Sequence, residues 1–222
     1  MATMAETRPG ALGAVDRFSP LSGVVAVACW VIGLFVMESA TNDDKGAEIL
    51  ANYKHHDGKI LAGTVIWLIG TALFVWWLGH FRNRLLAAEG PAGRLTAVAF
   101  AGGVATAVML ALGPGGDAAG ALGKDDVDAS ASLALHNIGT AFFFGAEYLL
   151  PVMLVATALL ALRTGVLPKW LAWVTLVIAL VLFIGPIGWA ALIFATPIWT
   201  LGTSFMLLRS NGRRPAVAPA AA

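Results

Sequence analysis

Residues 170–208 read WLAWVTLVIALVLFIGPIGWAALIFATPIWTLGTSFMLL. A membrane helix needs about 20 apolar residues, because it rises about 1.5 Å per residue across about 30 Å of hydrocarbon. This run is too long for one span, so the place where it breaks decides how the chain crosses. "GPIG" at 185–188 supplies the break, since proline lacks an N–H and glycine permits a turn. The reading is helix five at 168–184 and helix six at 188–208.

The same rule applied toward the N-terminus marks four more runs. They are 21–39, 60–79, 95–112 and 133–162. The expected fold is an all-α, polytopic transmembrane bundle of six spans occupying 21–208, with a segment 1–20 before it and a tail 209–222 after it. Glu38 in "MESA" stands where a signal-peptidase site needs a small residue, so the first run reads as an anchor. The Pro/Ala-rich tail reads as disordered.

Composition supports the membrane class. The 222 residues are 59% hydrophobic and 12% charged, against about 25% charged in soluble domains. Mean hydropathy is +0.80. The single cysteine, Cys29, excludes a disulfide framework and a cysteine metal site.

Lysine and arginine placement sets the orientation. Arg8, Arg17, Arg82, Arg84, Arg94, Arg163, Lys169, Arg209, Arg213 and Arg214 fall on one side, ten of the fourteen. Lys45, Lys54, Lys59 and Lys124 fall on the other. Both termini are therefore expected in the cytoplasm. Trp76, Trp77, Trp170 and Trp173 are expected in the inner interfacial belt and Trp189 in the outer.

Lipid gives no hydrophobic drive between helices, so small residues carry association. Ala99, Gly103, Ala107 and Ala111 form such a face, and Ala141 and Gly145 offer another. These faces also allow a homo-oligomer. Thr64 and Thr71 on helix two, with Thr196, Thr200 and Ser204 on helix six, are read as hydroxyls bonding back to their own helices or as the lining of a polar path.

One residue stands out within "HNIGTAFFFGAEYLLP" at 136–151. Glu147 at a helix centre costs about 2.5–3.5 kcal/mol on the insertion scale. The twelve Leu, Ile, Val and Phe residues between 138 and 162 return roughly 4–7 kcal/mol, so the helix still inserts. Pro151 cannot donate to the carbonyl of residue 147, which frees that oxygen as well. His136, Thr140 and Glu147 return almost to one helical face, with Asn137 adjacent. In one reading Glu147 locks helix register. In the other it exchanges a proton or holds a cation or amine.

No metal, cofactor or catalytic set is expected. Asp43, Asp44, Glu48, His55, His56 and Asp57 match no metal spacing and read as a solvated outer loop, in which Ala47–Tyr53 could form a short amphipathic helix. His80 and His136 fall at opposite membrane faces, so they cannot share a haem. "GPGGDAAGALG" at 113–123 lacks the setting of a phosphate loop and reads as a flexible outer linker.

The stretches "AEILANYKHHDGKILAG", "LGHFRNRLLAAEG" and "ALRTGVLPKWLAW" resemble those of a diffuse group of uncharacterised multi-pass membrane proteins from high-GC actinobacteria, of the domain-of-unknown-function type. The resemblance implies a bacterial plasma-membrane setting and carries no catalytic residues. The leading functional expectation is a non-enzymatic binding or accessory protein of the bilayer, with a small ligand or a protein as partner and no nucleic acid. The alternative is a small proton- or cation-coupled carrier using Glu147.

Overall fold

The computed structural model describes residues 19–211. The segment 1–20 and the tail 209–222 lie almost wholly outside them. The described residues are helical with no strand. In chain order they form α1 (Leu21–Val36), α2 (Gly46–Glu89), α3 (Arg94–Leu112), α4 (Gly115–Leu122), α5 (Ala129–Thr164), α6 (Lys169–Val181) and α7 (Gly185–Ala190). A π-helical turn, Ala191–Ala195, then leads into α8 (Thr196–Asn211).

Four stretches are long and apolar enough to cross a membrane: Gly46–Glu89, Arg94–Leu122, Ala129–Thr164 and Ile187–Arg209. Leu21–Val36 and Lys169–Val181 are apolar but shorter. The outer surface is apolar, as lipid requires. Phe35 is 83% exposed and Ile198 68%. The interior holds hydroxyls and small residues instead, including Thr157, Thr175, Thr200, Thr203 and Ser204.

The second helix extends far beyond the expected 60–79. Its N-terminus is stapled by Glu48, which accepts from the Lys45 backbone N–H at 2.7 Å. Ile49, Tyr53 and Ile60 are fully buried, so residues 46–59 follow the helical period and pack inward. The expected solvated loop is therefore a helix, kinked at His56, whose φ of −124° and ψ of 15° are non-helical.

The expected linker at 113–123 is likewise corrected. Pro114 opens α4, and the glycines that suggested a linker let it dock. A Cβ at Gly116 would strike the Leu135 carbonyl of α5, and one at Gly120 would strike the Tyr53 ring. A Cβ at Gly139 would come within 2.5 Å of the Gly113 carbonyl. Backbone meets backbone here because no side chain intervenes.

α3 and α5 form the most extensive pairing, closely followed by α1 and α2. Ala99, Gly103 and Ala107 are buried inside the chain, while Ala111 and Gly145 are half-buried and Ala141 is exposed. Trp77 is also buried and does not belong to an interfacial belt. It stacks with Phe74 (5.5 Å) and Phe81 (4.8 Å) and meets Trp199 edge-on at 6.0 Å. Trp76, Trp170 and Trp173 are exposed.

Prolines set the irregularities of the last third. Pro197 cannot donate to the Ile193 carbonyl four residues earlier. Just before it the helix widens, and the Thr196 N–H reaches back to Ala191 O. This turn interrupts what reads in sequence as one continuous span at 188–208.

The α4–α5 contact generates a prediction. Gly139→Val should lower stability by about 1–3 kcal/mol, the usual cost of overpacking, read as a lower thermal midpoint in detergent. An unchanged midpoint would mean that α4 is not docked.

Candidate functional site

The docking of α4 brings a buried carboxylate to a buried histidine. Asp117 Oδ1 lies 2.9 Å from His136 Nδ1 and accepts the Tyr53 hydroxyl, also at 2.9 Å. The His136 and Asp117 side chains are 7% and 10% exposed. A carboxylate is acceptor-only, so Nδ1 carries a proton toward it. Nε2 faces Asn42 Oδ1 at 3.2 Å, and the Thr140 hydroxyl donates to the same oxygen at 3.0 Å. The two orientations of the Asn42 amide are isosteric. One accepts from a doubly protonated imidazole, the other donates to a neutral one, so the network accommodates both.

Below this network lies a cavity of about 420 Å³. Its polar rim is Asn42, Asp117, His136 and Thr140, together with Ser39. Its walls are apolar, with Trp30, Trp67, Phe143 and Trp189 as the large surfaces. Trp67 sits 6.0 Å from Trp30 and 5.7 Å from Phe143, which in turn sits 5.7 Å from Trp189. The indole N–H groups of two walls are already engaged. Trp30 Nε1 donates to Thr71 Oγ1 at 3.1 Å, and Trp67 Nε1 donates to Leu110 O at 2.7 Å. The Leu110 carbonyl is available because Pro114, four residues on, has no N–H to give it. No lysine or arginine lines the cavity.

The cavity opens at the surface beside α1. Val31 and Leu34 of α1 line it and are 44% and 49% exposed. α1 ends at Val36, and the segment 37–45 continues as irregular chain along the cavity. Glu38 ties that segment to α2, pairing with His56 and with Lys59 at 2.6 Å. Asp57 pairs with Lys124 at 2.5 Å across to the chain before α5. Asp44, Glu48, His56 and Asp57 are thus taken up in caps and ion pairs. Among the described residues no group of three or more could hold a metal ion.

The residues singled out in the sequence divide among several places. His136, Thr140 and Thr196 line the cavity; Asn137 is exposed. Thr71, Thr196 and Thr200 donate to carbonyls of their own helix segment. Thr64 and Ser204 are buried with no hydrogen-bond partner among the described residues. Glu147 lies outside the cavity lining and is completely buried, and neither carboxyl oxygen has a partner among the described residues. It rests against Gly188, where a Cβ would strike Oε1, and beside the Leu182 carbonyl, which would be 2.5 Å from the same Cβ. Pro186 leaves that carbonyl without its helical donor. His136 thus lines the cavity and Glu147 does not.

Tyr53, Asp117 and Asn42 were not singled out in the sequence. The available signal was Asp117 flanked by Gly116 and Gly120, four apart, which is a helix-packing spacing as much as a linker composition.

Hydrogen bonding from Lys59, aided by its charge and that of His56, holds the Glu38 carboxyl below its ordinary value of 4.5. The stabilisation this provides is complete above that value and disappears as pH falls through the lowered folded value. Glu38→Gln should therefore flatten the acid limb of a thermal-midpoint-against-pH curve. An acid limb identical to the parent's would mean that the pair does not anchor the 37–45 segment. No protein-family model, curated protein or solved structure matches the chain.

Proposed function

We propose that this chain is a six-span, non-enzymatic binding protein of a bacterial plasma membrane, with both termini cytoplasmic, that takes a membrane-dissolved amphipathic molecule into its outer cavity. The orientation rests on the ten-to-four division of basic residues. The two shorter apolar helices complete the count of spans. The bacterial setting rests on the resemblance described above. One observation carries the function. A cavity with apolar walls, a polar rim of convergent side chains and an opening at the surface beside α1 matches a ligand that is apolar along its body and polar at one end. The opening lies on the lipid-facing surface, so such a ligand enters without crossing water.

Native mass spectrometry tests this after incubation of the purified protein with an extract of bacterial membranes. One small molecule should remain bound per chain, and Val31→Trp, which fills the opening from its exposed side, should remove it. No adduct, or an adduct indifferent to Val31→Trp, contradicts the reading.

Glu147 favours a second reading, a proton- or cation-coupled carrier. Its carboxyl is fully buried and unpartnered among the described residues, beside a carbonyl orphaned by Pro186. Intramembrane carboxyls of this kind are typical of ion and proton paths. Labelling with a lipid-soluble carbodiimide, lost in Glu147→Gln, would support it. No labelling at any pH would leave Glu147 as a packing residue.

A further inference from the structure

The rim network constrains the chemistry of the ligand's polar end. Phosphate-bearing lipids are disfavoured, because the lining has no lysine or arginine and includes the Asp117 carboxylate. A cationic head would have to share Asp117, whose Oδ1 already takes both Tyr53 and His136, and is disfavoured as well. What remains is a neutral head. The direction of its hydrogen bonds is shown by Asn42. The side-chain carbonyl oxygen of Asn42 accepts the Thr140 hydroxyl at 3.0 Å and lies 3.2 Å from His136 Nε2, which donates to it when the imidazole is doubly protonated. One donor from α5, joined by a second in the doubly protonated state of His136, thus converges on one carbonyl oxygen at the cavity rim. The residue supplying that oxygen belongs to the irregular 37–45 segment, not to a helix. The walls add the second constraint. Four aromatic side chains, Trp30, Trp67, Phe143 and Trp189, present ring faces and edges suited to a flat ring.

Resting on the cavity reading above, we propose that the ligand is a neutral, carbonyl-bearing planar ring with an apolar tail, the quinone class. Its carbonyl replaces the Asn42 side-chain oxygen between His136 and Thr140. The ring lies among the aromatic walls, and the tail leaves past Val31 and Leu34 into lipid. Asn42 is then an internal stand-in that occupies the donors when the cavity is empty and competes with the ligand.

A decyl-substituted benzoquinone is the probe, titrated into the full-length protein in nanodiscs and followed by quenching of tryptophan fluorescence. Dodecanol and dodecyltrimethylammonium serve as competitors of other head-group class. The quinone should bind saturably. Thr140→Val should weaken it roughly fivefold, as expected for one hydrogen bond of about 1 kcal/mol. Asn42→Ala should tighten it by a similar factor, because it removes the competing carbonyl. Tightening is an outcome that damage to the fold would not produce. Quinone binding unchanged by both substitutions would overturn the proposal, as would weakening by Asn42→Ala. If the quinone fails while the alcohol or the ammonium binds saturably, the head-group assignment falls and the cavity reading stands. If none of the three binds, both fall.

Discussion

The end of the bundle that carries the cavity depends on one close approach, that of α4 to α5 at Gly113, Gly116 and Gly139. Backbone atoms meet there at distances no larger residue permits. The contact places Asp117 beside His136 and, through Gly120, seats the Tyr53 ring against α4. Without it Asp117 would be an ordinary solvated acid in a loop. With it, an acid, a phenol and an imidazole share a buried network in which each polar atom named has a partner. A buried ionisable pair is tolerated only when it is hydrogen-bonded in this way.

Prolines provide the complementary device. Each leaves a carbonyl without its helical donor, and the protein uses these orphans differently. Pro114 frees Leu110 O, and Trp67 fills the vacancy from α2, tying α2 to α3 and fixing one aromatic wall. Pro197 is preceded by a π turn that brings Thr196 to the cavity. Pro186 follows Leu182, the C-cap of α6, whose carbonyl stands beside the Glu147 carboxyl at the break between α6 and α7. Backbone irregularity at membrane depth is accommodated where it is buried in protein, as at Gly113, Pro114 and Ala191.

The features legible in sequence are those with a one-dimensional cause. Apolar run length located the helices, and GPIG located the break between α6 and α7, because both depend on local composition. The anomaly of Glu147 was visible for the same reason. The features missed have three-dimensional causes. Residues 113–123 look like a linker by helix propensity, since glycine disfavours helix by about 1 kcal/mol. Those same glycines earn their place by allowing close packing, which no propensity scale records. Residues 46–59 look solvated from their charges, yet Ile49 and Tyr53 turn inward once α4 gives them a surface. His136 and Glu147 share a helical face but not a level. Eleven residues span roughly 16 Å along a helix, so one face does not make one site, and His136 found its partner 19 residues earlier instead.

The most direct test is hydrogen–deuterium exchange across residues 113–128 of the protein in nanodiscs. A docked α4 predicts amides of 115–122 protected to the same degree as those of α5 around His136, with protection lost in Gly139→Val. Exchange of 115–122 at the rate of an open chain would contradict the account, since Asp117 could then neither pair with His136 nor close the cavity.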